Sequence, residues 1–130
     1  MDDLLTIARI GAQGDGIAET PAGPVFAPLT LPGERVRAEV KDGRAERVEI
    51  VEASADRIAT VSPHYGDCGG CSLQHWASGP YLEWKREQVR LALAREGIET
   101  EIEATVASPA QSRRRIALHA RRTPEGRVIL

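Results

Sequence analysis

Through residue 52 the chain alternates apolar and polar side chains in short runs that glycine and proline interrupt, the pattern of a small all-β barrel. Leu5, Ile7 and Ile10 open a first strand, and Gly11 with Gly14-Asp15-Gly16 breaks it where positive φ is easily reached. Val25-Phe26-Ala27 predicts a second short strand ended by Pro28, and Leu31-Pro32-Gly33-Glu34 a tight turn. Val36, Ala38 and Val40 then alternate with Arg35, Arg37, Glu39 and Lys41, as a half-buried strand requires. Asp42-Gly43 predicts a hairpin, with Val48 to Val51 in the returning strand.

Ala53 to Thr60 reads as a connector. Gly79-Pro80 begins a helix, proline being tolerated in a first turn whose N–H groups have no intrahelical partner, and Gly97 ends it as a C′ residue. Leu82, Val89, Ala92 and Leu93 are expected on its packed face, and Glu83–Arg86 and Glu87–Arg90 form i,i+3 pairs on another; Tyr81 and Trp84 are given no function. From Glu101 the period returns to two, predicting strands with Ile102, Ala104 and Val106 inward and then Ile116, Leu118 and Ala120. Thr123-Pro124-Glu125-Gly126 fits a type I turn into a third strand, Val128-Ile129-Leu130. A strand that stops as it starts marks the chain as the N-terminal piece of something longer. The fold class expected is mainly β with one main helix, α+β.

Composition adds exclusions more than assignments. With 42% hydrophobic and 28% charged residues among 130, the chain suits a soluble globular protein, and no apolar run approaches the roughly 20 residues a membrane span needs. The acidic start, Met1-Asp2-Asp3, is unlike a signal or transit peptide, so a cytoplasmic location with reduced thiols is expected. The net charge of −2 conceals a gradient: acidic groups dominate up to residue 56, while residues 113–130 hold six arginines against one glutamate. Arg113-Arg114-Arg115, Arg121, Arg122 and Arg127 match either the footprint of a nucleic-acid surface or a solvated strand face.

The chemistry concentrates between Ser62 and His75, which holds both cysteines and two of the three histidines. Cys68-x2-Cys71 serves zinc knuckles, iron–sulfur sites and redox dithiols alike. His64, Cys68, Cys71 and His75 form a symmetric array of acceptable zinc ligands; Gly69 and Gly70 would let backbone N–H groups turn toward cluster sulfurs; and a structural turn with two thiols needs neither. Neither cysteine is placed as a nucleophile, and Gly11-x2-Gly14-x-Gly16 has neither the spacing nor the following helix of a dinucleotide fingerprint.

In order along the chain, these residues resemble the N-terminal part of the bacterial RNA (uracil-5-)-methyltransferases, the class I S-adenosylmethionine-dependent family acting on uridine C5 of 23S rRNA and tRNA. Gly14-Asp15-Gly16-Ile17-Ala18 and Leu31-Pro32-Gly33-Glu34-Arg35-Val36 resemble the two signatures of that family's TRAM domain, which implies an OB-like five-stranded RNA-binding barrel over residues 1–56. Ser62-Pro63-His64-Tyr65-Gly66-Asp67-Cys68-Gly69-Gly70-Cys71-Ser72-Leu73-Gln74-His75 is similar to the family's cysteine stretch, making residues 57–78 a connector that carries it; Lys85 in the helix also fits. Ser112-Arg113-Arg114-Arg115 resembles the start of the central RNA-binding subdomain, so that residues 79–130 would be its truncated beginning.

The resemblance implies a [4Fe–4S] cluster with Cys68 and Cys71 as second and third ligands, Ser62 standing where the first cysteine belongs and the fourth lying beyond Leu130. A serine is a poor cluster ligand, and the expectation is a chain without an intact cluster. The catalytic residues and the S-adenosylmethionine domain are implied to lie downstream, so these 130 residues alone are expected to hold rRNA or tRNA without methylating it. Arg113, Arg114, Arg115, Arg121 and Arg122 are the first expected RNA contacts, Arg35 and Arg37 the second. A stand-alone TRAM-type RNA-binding module and a small zinc protein are the alternatives.

Overall fold

A computed structural model describes residues 2–67 and 71–129; Cys68, Gly69, Gly70 and Leu130, on which parts of the cluster, zinc and last-strand expectations fall, lie outside the described residues. In chain order the elements are β1 (Asp3–Thr6), β2 (Arg9–Ile10), β3 (Gly16–Thr20), β4 (Gly23–Ala27), β5 (Arg35–Lys41), β6 (Arg44–Glu52), α1 (Ser78–Arg95), β7 (Arg121–Arg122) and β8 (Val128–Ile129).

The first six strands form one sheet in the order β1-β5-β6-β4-β3-β2. Its two ends, β1 and β2, are halves of a single run of chain, so the sheet curls until that run lies between β5 and β3. The handover is visible in the backbone: Ile7 N–H donates to the Glu34 carbonyl (2.9 Å), and the next residue, Ala8, donates to Ile17 (2.8 Å). With β1 and β2 counted as one bent strand, the barrel is five-stranded. Neighbours are antiparallel except β4 and β6, which meet in parallel at Phe26 and Arg44. This is an OB-like barrel, as the resemblance implied.

The inward positions fill the barrel as the alternation predicts. Leu5, Ile7, Ala18, Val25, Ala27, Val36, Ala38 and Ala45 form its core, with Val40, Val48 and Ile50 packed at the margin. Asp42 and Gly43 both adopt positive φ (50° and 74°), the two-residue turn matched to strand twist. One strand escaped the sequence reading. Gly16, read as part of the break Gly14-Asp15-Gly16, instead begins β3, and its glycine is required by packing. A Cβ at Gly16 would sit 2.0 Å from Thr30 Oγ1 and 2.9 Å from Ile7 Cγ2. Thr30 cannot easily give way, being fully buried and donating to the Ala27 carbonyl (2.8 Å).

Glu34, in the turn before β5, has no exposed surface. Its carboxylate accepts the backbone N–H of Leu31 (2.8 Å) and Ser54 (3.1 Å) and both Nε (2.6 Å) and Nη2 (2.8 Å) of Arg57. The same Arg57 Nη2 donates to the Leu29 carbonyl (2.8 Å). Burial pushes the Glu34 carboxyl pKa up, but Arg57 and the two backbone donors outweigh it and hold the group below its usual 4.5.

Beyond the barrel, the connector pairs with the stretch before the helix: Ile58 N–H donates to the His75 carbonyl (2.9 Å) and Ala77 N–H to that of Asp56 (2.8 Å). The helix begins one residue before the predicted glycine and ends as expected. Gly97 takes φ 74°, with Gly97 N–H donating to Ala94 and Ile98 N–H to Leu93, each at 3.0 Å, the two bonds of a Schellman cap. Its packed side differs from the expectation. Val89 is half exposed and Ala92 exposed, whereas Tyr81 and Trp84 pack on a second cluster of Ile10, Leu31 and Trp76.

The strands expected around Ile102–Val106 and Ile116–Ala120 are not formed. Period-two patterning supplies a face but no partner, and these residues have no ladder among the described residues; Val106 is 92% and Ile116 70% exposed. The first stretch instead runs along α1, where Arg86 Nε donates to the Ile102 carbonyl (2.7 Å) and Thr105 Oγ1 to that of Leu82 (3.0 Å). The turn at Thr123–Gly126 does form, Gly126 N–H donating to Thr123 (2.9 Å) between the two-residue strands β7 and β8. Among the described residues, no helix is long and apolar enough to cross a membrane.

Two outcomes follow from these contacts. Gly16→Ala should lower stability by roughly 1–3 kcal/mol through overpacking against Thr30, read as a lowered Tm, while Gly23→Ala, with no atom near its Cβ, should show only the smaller strain of its positive φ. Glu34→Gln puts an amide donor against N–H donors and should cost about 3 kcal/mol at neutral pH. Because Glu34 titrates below 4.5 when folded, the stability it contributes is present above that pH and lost as pH falls through the folded value, so the wild-type and Gln curves of Tm against pH should converge in acid. Curves that stay parallel down to pH 3 would contradict this account.

Candidate nucleic-acid interface

Arginines of the barrel pair with carboxylates, four of the five pairs across neighbouring strands and the fifth, Arg44, with the turn before β3. Arg35 on β5 pairs with Glu52 on β6, Arg37 with Glu49 (2.9 Å), Arg47 with Glu39 (3.5 Å), Arg9 with Glu19 (2.8 Å) and Arg44 with Asp15 (3.0 Å). These exposed pairs add little stability, but they neutralise the barrel surface, Arg35 and Arg37 included. The arginines near the C-terminal end differ. Arg113, Arg114, Arg115, Arg121 and Arg122 are exposed, and among the described residues none is in an ion pair. Arg121 and Arg122 lie on β7, and Arg113 to Arg115 in the stretch without regular secondary structure before it.

On either side of residues 68–70, the described residues of the cysteine segment form turns, tied to the barrel through His75 and the partly buried Tyr65. His75 is 1% exposed, with Nδ1 hydrogen-bonded to the Tyr65 hydroxyl and Nε2 3.4 Å from the Thr30 carbonyl. Burial holds the imidazole below its usual pKa, favouring the neutral ring, and burial likewise raises the Tyr65 phenol. The Tyr65 hydroxyl also lies 2.9 Å from the Ser72 carbonyl, and Gln74 Oε1 accepts the Ser62 N–H (2.9 Å).

The structure therefore gives the proposed metal ligands different surroundings. Both ring nitrogens of His75 face partners within the protein, His64 and Cys71 are exposed, and among the described residues no three His, Cys, Asp or Glu side chains are grouped to hold a metal. Nor do the residues present fit a four-thiolate cluster: the chain has two cysteines, and Ser62 Oγ accepts the His64 N–H (3.3 Å) in its own turn.

Sequence reasoning missed the groups that hold this region together. Arg57, Tyr65 and Trp76 were read as connector or motif letters, and Glu34 as a turn residue. A charged residue inside an otherwise apolar-and-glycine turn, Leu31-Pro32-Gly33-Glu34, was the available signal for burial. Its partner 23 residues away had none.

No family model matches the chain. It is 60% identical over 97% of its length to an uncharacterized RNA methyltransferase of Caulobacter vibrioides, 44% identical over 99% to one of Mesorhizobium japonicum, and 39% identical over 97% to the 23S rRNA (uracil(1939)-C(5))-methyltransferase RlmD of Halomonas elongata. It spans 30%, 31% and 28% of those proteins' lengths. Among solved structures it resembles the Pyrococcus abyssi tRNA (uracil-54, C5)-methyltransferase in complex with S-adenosyl-L-homocysteine, at 25% identity and TM-score 0.54 over 78% of this chain and 23% of that one. By sequence and by fold, the chain belongs to the RNA (uracil-5-)-methyltransferases, as a segment spanning about three tenths of its curated relatives.

Proposed function

We propose that this chain is the RNA-holding part of a cytoplasmic, S-adenosylmethionine-dependent RNA uridine C5-methyltransferase. Residues 1–56 are its TRAM-like domain, residues 57–78 the connector, and residues 79–130 the start of the central RNA-binding subdomain. The observation that carries the reading is the match along nearly the whole chain to RNA methyltransferases of which it spans three tenths, joined to an OB-like barrel. Uridine in rRNA or tRNA is the substrate class, and S-adenosylmethionine acts in the remainder of the relatives' length. The 130 residues alone bind RNA and transfer no methyl group.

The charge distribution supports a division of labour within the chain. Barrel arginines already paired with carboxylates gain little from a phosphate, because the ion pair must be broken first. Arg113, Arg114, Arg115, Arg121 and Arg122, in no ion pair among the described residues, have no such cost and are the first contacts, with Arg35 and Arg37 second. Cys68 and Cys71 belong to a segment that ties the connector to the barrel, and the chain carries no intact [4Fe–4S] cluster.

Replacing Arg113 to Arg115 together with alanine should weaken RNA binding and lower the slope of log K against log salt by roughly two to three, near 0.7–0.9 per lost phosphate contact. Unchanged affinity and slope would refute the assignment. Iron and sulfide analysis after anaerobic purification should find far less than one cluster per chain; near four irons would refute its absence. Labelled methyl transfer to RNA by these residues alone would overturn the proposed inactivity.

A further inference from the structure

The barrel, the cysteine segment and α1 meet at a groove of about 540 Å³. One wall is the turn Gly11–Gly14, which can approach because residue 14 is glycine: a Cβ there would lie 3.3 Å from Ser72 Cβ and Oγ, at a φ of 91°. Trp76, 8% exposed, stands at the base, and Tyr81 and Trp84 rise from the first turns of α1. The Trp84 indole is fixed, its Nε1–H donating to the Ile10 carbonyl (3.3 Å), and its ring centroid lies 6.3 Å from that of Trp76.

The charge lining this groove is all of one sign. Among the described residues, Lys85 and Arg113 reach it and no aspartate or glutamate does, whereas each of three other cavities has at least one carboxylate. Lys85 Nζ lies 5.5 Å from both the Tyr81 and the Trp84 ring centroids. The neighbouring acids Glu83 and Glu87 pair with Arg86 and Arg90, not with Lys85. Aromatic faces with a cation and no carboxylate match a ligand with a flat π-face and an anionic linkage, and the volume suits a small ligand.

We propose that this groove is a stacking site for an unpaired base of single-stranded RNA, with Tyr81 and Trp84 receiving the base and Lys85 and Arg113 its phosphates. The inference rests on the RNA-holding reading and gives it a specific seat. Base stacking on aromatic side chains tolerates any sequence, so the site selects unpaired over paired RNA and not one base over another. Duplex RNA offers phosphates to the arginines but no free base face to the groove.

The two tryptophans of the chain, Trp76 and Trp84, both line the groove, so intrinsic fluorescence reports on it. An eight-nucleotide single-stranded RNA titrated into the 130-residue chain should quench that fluorescence with the same saturation curve as the anisotropy of a labelled copy. Tyr81→Leu, which keeps an apolar contact, and Lys85→Gln, at the surface, should each weaken single-stranded binding on the order of tenfold while leaving duplex binding unchanged, and Lys85→Gln should leave Tm unchanged as well. Binding by anisotropy with no fluorescence change, or equal affinity in both variants, overturns the groove while the RNA-holding reading stands. Equal loss of single-stranded and duplex binding in either variant also overturns it, as does an acidic peptide of matched charge that quenches equally. No RNA binding at low salt overturns both.

Discussion

The carboxylate of Glu34 is the constraint on which the arrangement of barrel and connector depends. A buried carboxylate without partners would be too costly to keep ionised, so its four donors must come to it. Two are backbone N–H groups, from the Leu31–Glu34 turn and from Ser54 just past β6; two belong to Arg57. The group thus fixes the turn that enters β5, the exit of β6 and the direction of the connector at once. Arg57, satisfied on its other side by the Leu29 carbonyl, then sets where the connector lies against Trp76, its bridge partner.

From that anchor the rest is assembled by contacts of decreasing range. Ile58 and Asp56 pair with His75 and Ala77, which presents Trp76 to Ile10 and Leu31 and points the first turn of α1 toward the same cluster. His75 and Tyr65 close the cysteine segment over Thr30, whose hydroxyl is the atom a side chain at residue 16 would strike. Gly14 and Gly16, two letters of one short motif, therefore do different work. The first lets a turn approach Ser72, and the second lets β3 lie against the barrel's own core.

What could be read from the sequence is what local geometry decides. Asp42-Gly43, Gly97 and Thr123–Gly126 act through their own φ angles and hydrogen bonds between near neighbours, and each forms as expected. The alternation at Val36 and Ala38 is equally local, because a half-buried strand fixes which side faces inward. Two readings depended on distant chain and went otherwise. Gly16 resembled a break because its close neighbours, Thr30 and Ala27, are far along the chain; and the stripes at 102–106 and 116–120 had a face but, among the described residues, no adjoining strand.

The same distinction separates attraction from placement in the proposed RNA interface. Unpaired arginines between residues 113 and 122 act over about a Debye length, roughly 10 Å at 0.1 M salt, and need no fixed geometry to draw in a polyanion. The barrel arginines, Arg35 and Arg37 among them, are already matched to carboxylates and gain less from a phosphate. A base, by contrast, can be seated only where aromatic rings are held still, and Tyr81 and Trp84 are held by packing on the cluster of Ile10, Leu31 and Trp76 that joins barrel to helix. On this reading the tail sets how strongly RNA is held and the groove sets which part of it is held. The cysteine segment contributes to the second through Ser72 and Leu73, which line the groove, and through buried His75, which anchors them to the barrel.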